Sequence, residues 1–390
     1  MTTRSDAHRG HTIYLDTAAT SFQKPPEVLR AVTDYMTSKG GNPGRGSHRL
    51  SLAAAEEIFA CRVAAAEFFG SEHPERVVFT MNTTQALNVA IHGLLRQGDH
   101  VLCSDMEHNS VRRPLWALAQ AGVITFDTFS TFPASPFRTE EMILLDIERR
   151  LTPRTRMVIC AHASNICSAS LPLAAIGKLC RERGILFLVD AAQSAGILDV
   201  DMGKMNVDAL CVPGHKGLMG PQGVGMLLLG ENVTPSPLIY GGNGVDSLSA
   251  EMSRDVPEAY EAGTLPGAAI AGLRAGIGFV RRTGIKTIRR HEESLGRRLT
   301  EALVRMPHVR VYAPLQAGGV VLFSVHGRSS EDVGSFLDRQ GICVRSGFHC
   351  CALGHATLGT PSEGAVRASF GYFNTEKDCD SLISAVGLLG

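Results

Sequence analysis

The sequence predicts an α/β protein: a large domain on a mostly parallel, seven-stranded sheet, followed by a smaller α+β domain. Three observations predict it. Apolar runs of strand length alternate with amphipathic helical patterns between residues 77 and 230, the habit of a parallel sheet covered by helices on both faces. A Gly-, Pro- and Ser-rich stretch, 231–267, then breaks that rhythm. Beyond it, strands and helices of a second unit run to residue 390.

The elements follow in order. Val77-Val78-Phe79-Thr80 is a short apolar strand, and Asn82-Thr83-Thr84-Gln85 opens an apolar-periodic helix over 84–95. Further strands are expected at 100–104, 123–127, 156–162, 186–190, 207–212 and 224–229, and further helices at 110–121, 139–151 and 173–183. Asp99-His100 and Arg183-Gly184 fall at helix-to-strand turns. Residues 231–267 hold no long apolar run and read as an extended active-site or subunit-contact segment. From Ala268 a long helix continues past Gly284 to about Arg305, with arginines along one side, and would bridge the two domains. The small domain then carries strands at 309–312 and 319–325, a helix at 330–340, a strand at 342–344, a cysteine-bearing loop, a strand at 366–370 and a helix at 375–388. The expected division is 15–265 for the large domain and 266–390 for the small one, with residues 1–14 packing near the latter.

Composition removes several functions. The chain is 44% hydrophobic with a formal net charge of zero, so no basic field favours nucleic acid or an anionic membrane. Met1 to Asp16 lacks an apolar signal core, and no apolar stretch approaches the ~20 residues of a membrane span. A soluble, cytoplasmic protein is expected. The ten cysteines contain no C-x-x-C pair, which argues against a zinc or iron–sulfur site, and no metal is expected. Cys160, Cys180 and Cys211 sit in apolar runs as small core residues. Cys350 differs, because Arg345-Ser346-Gly347-Phe348-His349-Cys350 surrounds it with cationic side chains that favour a thiolate.

The chemistry centres on Ala209-Leu210-Cys211-Val212-Pro213-Gly214-His215-Lys216-Gly217. Here an apolar run ends at a lysine between glycines, in a chain with seven lysines against thirty-one arginines. A desolvated lysine loses its proton readily and can add to a carbonyl as a Schiff-base amine. A surface turn is the plain alternative. Upstream, Leu186-Phe187-Leu188-Val189-Asp190 is a buried strand ending in a carboxylate, at the ligand edge of an open α/β sheet. Asp190 alone could be a helix cap or a metal ligand. With Lys216 it makes the pair that pyridoxal phosphate (PLP) requires, an amine for the aldehyde and an acid for the pyridine nitrogen. The start of the 84–95 helix offers N–H groups and the hydroxyls of Thr83 and Thr84 to a phosphate, although Thr83 would also serve as an ordinary N-cap.

Together these motifs resemble the class V aminotransferase superfamily of PLP enzymes, and most closely its cysteine desulfurase branch. The resemblance spans almost the whole chain, from Tyr14-Leu15-Asp16-Thr17-Ala18-Ala19-Thr20 and Asn42-Pro43-Gly44-Arg45-Gly46-Ser47-His48 to Arg367-Ala368-Ser369-Phe370-Gly371. It implies the fold type I architecture. It implies that Lys216 carries PLP and moves the substrate Cα proton, that Asp190 pairs with the pyridinium and that Gln193 reaches the ring hydroxyl. His108 would stack on the ring, Asn165 would touch cofactor or substrate carboxylate, and Thr84 and His215 would line the phosphate cup. Thr264, in Glu261-Ala262-Gly263-Thr264, would be lent to a neighbour's phosphate, which implies a homodimer. Arg367 would grip the α-carboxylate of L-cysteine, and Cys350 would take its sulfur for an acceptor protein. A selenocysteine lyase or another C–S lyase is the alternative on this fold, and a non-catalytic sulfur-carrier docking protein is a second.

The chain departs from that family's pattern in places. Pro213 stands where a phosphate-binding Ser or Thr is usual, Gln85 where Glu is common and Phe348 where a second His is frequent. Cys351 places a second thiol beside Cys350. In an extended loop the two side chains would point in opposite directions. Only seventeen positions separate Cys350 from Arg367, so the loop is expected to be compact and ordered.

Overall fold

A computed structural model describes residues 12–44, 48–131, 138–244, 248–313, 318–360, 362 and 364–390. Residues 1–11 and the Arg45-Gly46-Ser47 part of the motif quoted above lie outside the described residues.

The central sheet has seven strands in the order Val77–Thr80, Gly225–Leu229, Ala209–Pro213, Leu186–Asp190, Thr155–Ala161, Asp99–Ser104 and Ile124–Phe129. All run parallel except Gly225–Leu229, which is antiparallel to both neighbours. The three strands at its centre are apolar along nearly their whole length because both faces are covered. One face packs residues such as Phe187, Val189 and Leu210 against Phe69, Ile176 and Leu273. The other packs Leu188, Cys211 and Ile159 against Leu87, Ile91 and Leu115. Cys160, Cys180 and Cys211 are buried core residues, as their apolar surroundings suggest.

The second sheet has four antiparallel strands in the order Arg345–Gly347, Ala365–Ser369, Val320–Val325 and Val309–Tyr312. Its core joins Phe323, Val366 and Ala368 to Leu299, Leu337 and Leu382. The chain's first described strand, Ile13–Tyr14, pairs in parallel with Ile342–Cys343. This pairing carries Asp16 to a bridge with Ser369.

The expected long helix is two helices, Gly267–Thr283 and Ile285–Val304. They part at Gly284, whose φ of 86° leaves the helical region at little cost only for glycine. The first packs on helices Pro26–Asp34 and Arg49–Phe68, and the second on Glu376–Gly387 and the small sheet. No helix among the described residues is long and apolar enough to cross a membrane.

Candidate functional site

The carboxyl ends of the parallel strands converge on a cavity of about 100 Å³ lined by Lys216, Asp190, His108, Thr83, Thr84 and Gln193, with Asn165 and His215 at its wall. Strand Leu186–Asp190 delivers its terminal carboxylate, 4% exposed, with Oδ1 accepting from Ala192 N–H at 2.9 Å. Burial raises the Asp190 pKa, while the N–H of Ala192 and the charge of Lys216 oppose that rise. Lys216 is desolvated, which brings its amine down to about 8 despite the pull of Asp190.

His108 caps helix Asn109–Gln120. Its Nδ1 accepts from Ser110 N–H at 3.1 Å and pairs with Ser110 Oγ at 2.8 Å. Capping orients the ring, and burial together with Lys216 lowers its pKa to about 4, so it is a neutral ring at physiological pH. Ser110 Oγ also meets Thr84 Oγ1 at 2.7 Å. That residue had no visible signal in the sequence beyond lying two positions after His108.

The N-cap of helix Thr83–Leu94 is Asn82, whose side chain accepts from Gln85 N–H at 3.0 Å. Thr83 is therefore not the cap that its position suggested. Asn82 takes the cap because its backbone is extended and its side-chain carbonyl reaches the N–H of the third helical residue, while Thr83 is already the first residue of the helix. Thr83 Oγ1 is left buried with no hydrogen-bond partner, beside the cavity. An orphaned buried hydroxyl at a helix N-terminus is the observation that fits a bound phosphate. His215 Nδ1 meets Thr20 Oγ1 at 2.9 Å, and Ser21 and Lys24 donate to the His215 carbonyl at 2.9 and 3.2 Å. Gln193 Nε2 donates to Ala18 O at 2.9 Å. The N-terminal segment thus braces two residues of the cavity wall.

Arg367 is 2% exposed, on strand Ala365–Ser369. Its Nη1 donates to Asn165 O at 2.9 Å, its Nη2 to Asp16 Oδ1 at 2.5 Å, and its Nε has no partner. Burial lowers its pKa and Asp16 supports its charge. A guanidinium with a free, buried N–H is equipped to take a carboxylate. Asp16 was quoted in a motif without a role, and no local signal reveals it, since 351 positions separate the pair.

Cys350 and Cys351 divide sharply. Cys350 is exposed and Cys351 is buried, against Met106, Ile166 and Cys167. Burial pushes the Cys351 thiol up to about 12. Opposed directions were expected from an extended loop, but the backbone differs from that expectation. His349 and Cys350 are both left-handed, with φ of 52° and 54°, and Cys351 caps a short helix, Ala352–Leu358. Gly354 leaves room for Cys351, since a Cβ there would lie 2.6 Å from its Sγ. His349 does not supply positive charge either. Burial and Arg367 bring it down to about 3, so the ring is neutral. Asn109 N–H donates to the Cys350 carbonyl at 2.8 Å, fastening the loop beside His108.

Thr264 does not line this cavity. It is exposed on a second, larger one of about 690 Å³, together with Asn42, Gly44, Phe59 and Arg62. Glu261 anchors that segment by a buried bidentate pair with Arg62, at 2.8 and 2.5 Å, and accepts from Phe79 N–H at 2.6 Å.

A doubly covered α/β sheet with a desolvated lysine and a strand-end aspartate at its carboxyl edge defines the class of protein. The aminotransferase class-V family model matches residues 13–382, and the chain belongs to that family. Its relatives are more particular. It is 34% identical over 382 residues to a probable cysteine desulfurase of Methanothermobacter thermautotrophicus, covering 95% of this chain and 92% of that one. The apo structure of a cysteine desulfurase from Thermococcus onnurineus superimposes with a TM-score of 0.89 at 33% identity, over 97% of this chain and 94% of that one. A cysteine desulfurase of Escherichia coli in an S-sulfonic acid form gives 0.86 at 26% identity, with 97% and 94% covered. The architecture is that of fold type I.

Proposed function

We propose that this protein is a cysteine desulfurase that uses PLP at Lys216, takes sulfur from L-cysteine onto Cys350 and releases alanine. The observation that carries the reading is the convergence of desolvated Lys216, strand-end Asp190 and unpartnered Thr83 on one cavity, with exposed Cys350 fastened next to it. PLP supplies an electron sink that loosens the bonds at the substrate Cα and Cβ.

The chain's residues supply the rest. Thr83, Thr84 and His215 would hold the phosphate, and the free Thr83 hydroxyl would offset the hydroxyl and N–H that Pro213 lacks. Asp190, kept dry, would hold a proton on the pyridine nitrogen, and His108 and Gln193 would contact the ring and its hydroxyl. Arg367 fixes the α-carboxylate through its open Nε, next to Asn165. An amine that titrates near 8 is suited to move the Cα proton in both directions near neutrality. The Cys350 thiolate attacks Sγ of the substrate. The S–Cβ bond breaks, its electron pair stays with the carbon fragment that becomes alanine, and Cys350 carries a persulfide. Being exposed, that persulfide meets an acceptor protein that comes to the site.

The test is to give the purified protein L-cysteine and measure alanine while mapping persulfide by mass spectrometry. Alanine with the extra sulfur on Cys350 is expected. Sulfide release that is indifferent to Cys350→Ser would favour a C–S lyase instead, and label confined to Cys351 would mean that the other thiol is the nucleophile.

A further inference from the structure

The cysteine loop is held from behind by a buried chain of side chains that the reaction itself does not use. His349 Nε2 meets the Arg345 carbonyl at 3.1 Å. A carbonyl only accepts, so Nε2 carries the proton, and the neutral ring leaves Nδ1 bare. His349 Nδ1 lies 3.0 Å from His355 Nε2, so His355 must donate. The two rings are nearly parallel at 11°, with centroids 5.2 Å apart. His355, fully buried and itself neutral with a pKa near 4, then has a bare Nδ1 that accepts from the hydroxyl of Thr360. Each proton position follows from the next partner along, and only one arrangement satisfies all of them.

The chain continues forward. Asn165 Nδ2 donates to the His349 carbonyl at 2.7 Å, and the Asn165 carbonyl accepts from Arg367. The residue expected to clamp substrate and the residue that bears the thiol are therefore two and one steps from His349. They also hold a costly backbone. Two successive non-glycine residues in the left-handed region persist only where surrounding contacts over-determine them.

We propose that His355 is a positioning residue for sulfur transfer: through its hydrogen bond to His349 it holds the left-handed turn that presents Cys350 in register with the Arg367 clamp. The inference rests on the reading of Cys350 as nucleophile. The His355 ring nitrogens meet His349 and Thr360, and Phe348 packs edge-on against its ring at 5.5 Å.

The test uses the PLP-loaded protein and three variants. His355→Phe keeps an aromatic ring but loses both nitrogens, His355→Gln keeps an N–H donor, and Thr360→Val removes the hydroxyl that fixes the ring's tautomer. For His355→Phe, kcat with L-cysteine should fall by about 10²-fold, the cost of a misplacement near 1 Å, while KM stays within about twofold. His355→Gln should recover most of the loss, and Thr360→Val should fall between the two. The rate at which iodoacetamide alkylates Cys350 should change in the same order, a readout that needs no turnover. Equal kcat and alkylation rates in His355→Phe and wild type would overturn the proposal. So would a parallel loss of kcat and KM without recovery in His355→Gln, since that marks general structural damage. Failure of the underlying reading looks different: Cys350→Ser would still form alanine at the wild-type rate.

Discussion

An amine and two thiols show how burial sorts chemistry at the scale of a residue. Lys216 and Cys351 are both desolvated, yet the consequences are opposite. Burial disfavours the charged form of each, which makes the lysine a better nucleophile and base near neutrality and the thiol a poorer one. Burial thus counts against Cys351 as the attacking group, while its neighbour stands exposed. Lys216→Ala should leave the fold intact, lose the visible absorbance of bound cofactor and slow alanine formation by more than about 10²-fold, as expected for loss of a proton-moving group. Absorbance spectra and an alanine assay check it together, and normal turnover by Lys216→Ala would end the lysine reading. Lys216 and Asp190 could be read from sequence because each ends an apolar strand, a local pattern. The hold of Asp16 on Arg367, the cap at Asn82 and the neutral state of His349 could not. They depend on partners far along the chain, on a choice between adjacent polar residues, and on a burial that no local pattern encodes.

At the scale of elements, legibility follows the same rule. The inner strands of the main sheet are plain in the sequence because burial on both faces leaves nearly uninterrupted apolar runs, whereas the edge strand Ile124–Phe129 alternates buried and exposed residues. Helix Arg49–Phe68 is not, since its buried face includes Glu57 and Arg62 in addition to alanines, which blurs the 3.6-residue period. The break at Gly284 was hidden inside a pattern helical on both sides. The second of those helices, Ile285–Val304, carries Glu292, a carboxyl 6% exposed whose pKa burial alone raises to about 8. It lines a cavity of about 250 Å³ that also reaches Lys216. The folded state keeps this proton from the ordinary pKa of 4.5 up to about 8, while the unfolded chain gives it up. The resulting stability is full below 4.5 and is lost as pH rises through 8. Glu292→Gln should thus melt like wild type near pH 4. At pH 8 it should be more stable by on the order of 1–3 kcal/mol. Paired thermal melts at the two pH values check this, and a variant that is less stable at pH 8 would show that the ionised carboxylate has a partner.

The molecule as a whole has the Lys216 cavity in one place and Thr264 in another. Thr264 is exposed on the larger cavity, where Phe59 is also 54% exposed, and Tyr240, on the same glycine-rich segment, is 70% exposed. Solvent-facing aromatics at and near this cavity suit a surface that a second copy covers. Glu261 fixes the segment rigidly through Arg62, so Thr264 is presented outward and not folded toward its own Lys216. If two copies associate about a twofold axis, Thr264 of each completes the other's phosphate site. Sedimentation should then give a dimer, but a dimer alone does not show a shared site. Complementation does. Lys216→Ala lacks the amine, and Thr264→Asp sets a carboxylate against the phosphate, so each homodimer should be nearly inactive. A mixed dimer pairs the intact Lys216 of one chain with the intact Thr264 of the other in one of its two sites. Random exchange makes about half of the dimers mixed, so the mixture should regain roughly a quarter of wild-type activity. No recovery, with exchange confirmed by mass, would mean that Thr264 serves its own chain, and a fully active Thr264→Asp homodimer would mean that it serves no site.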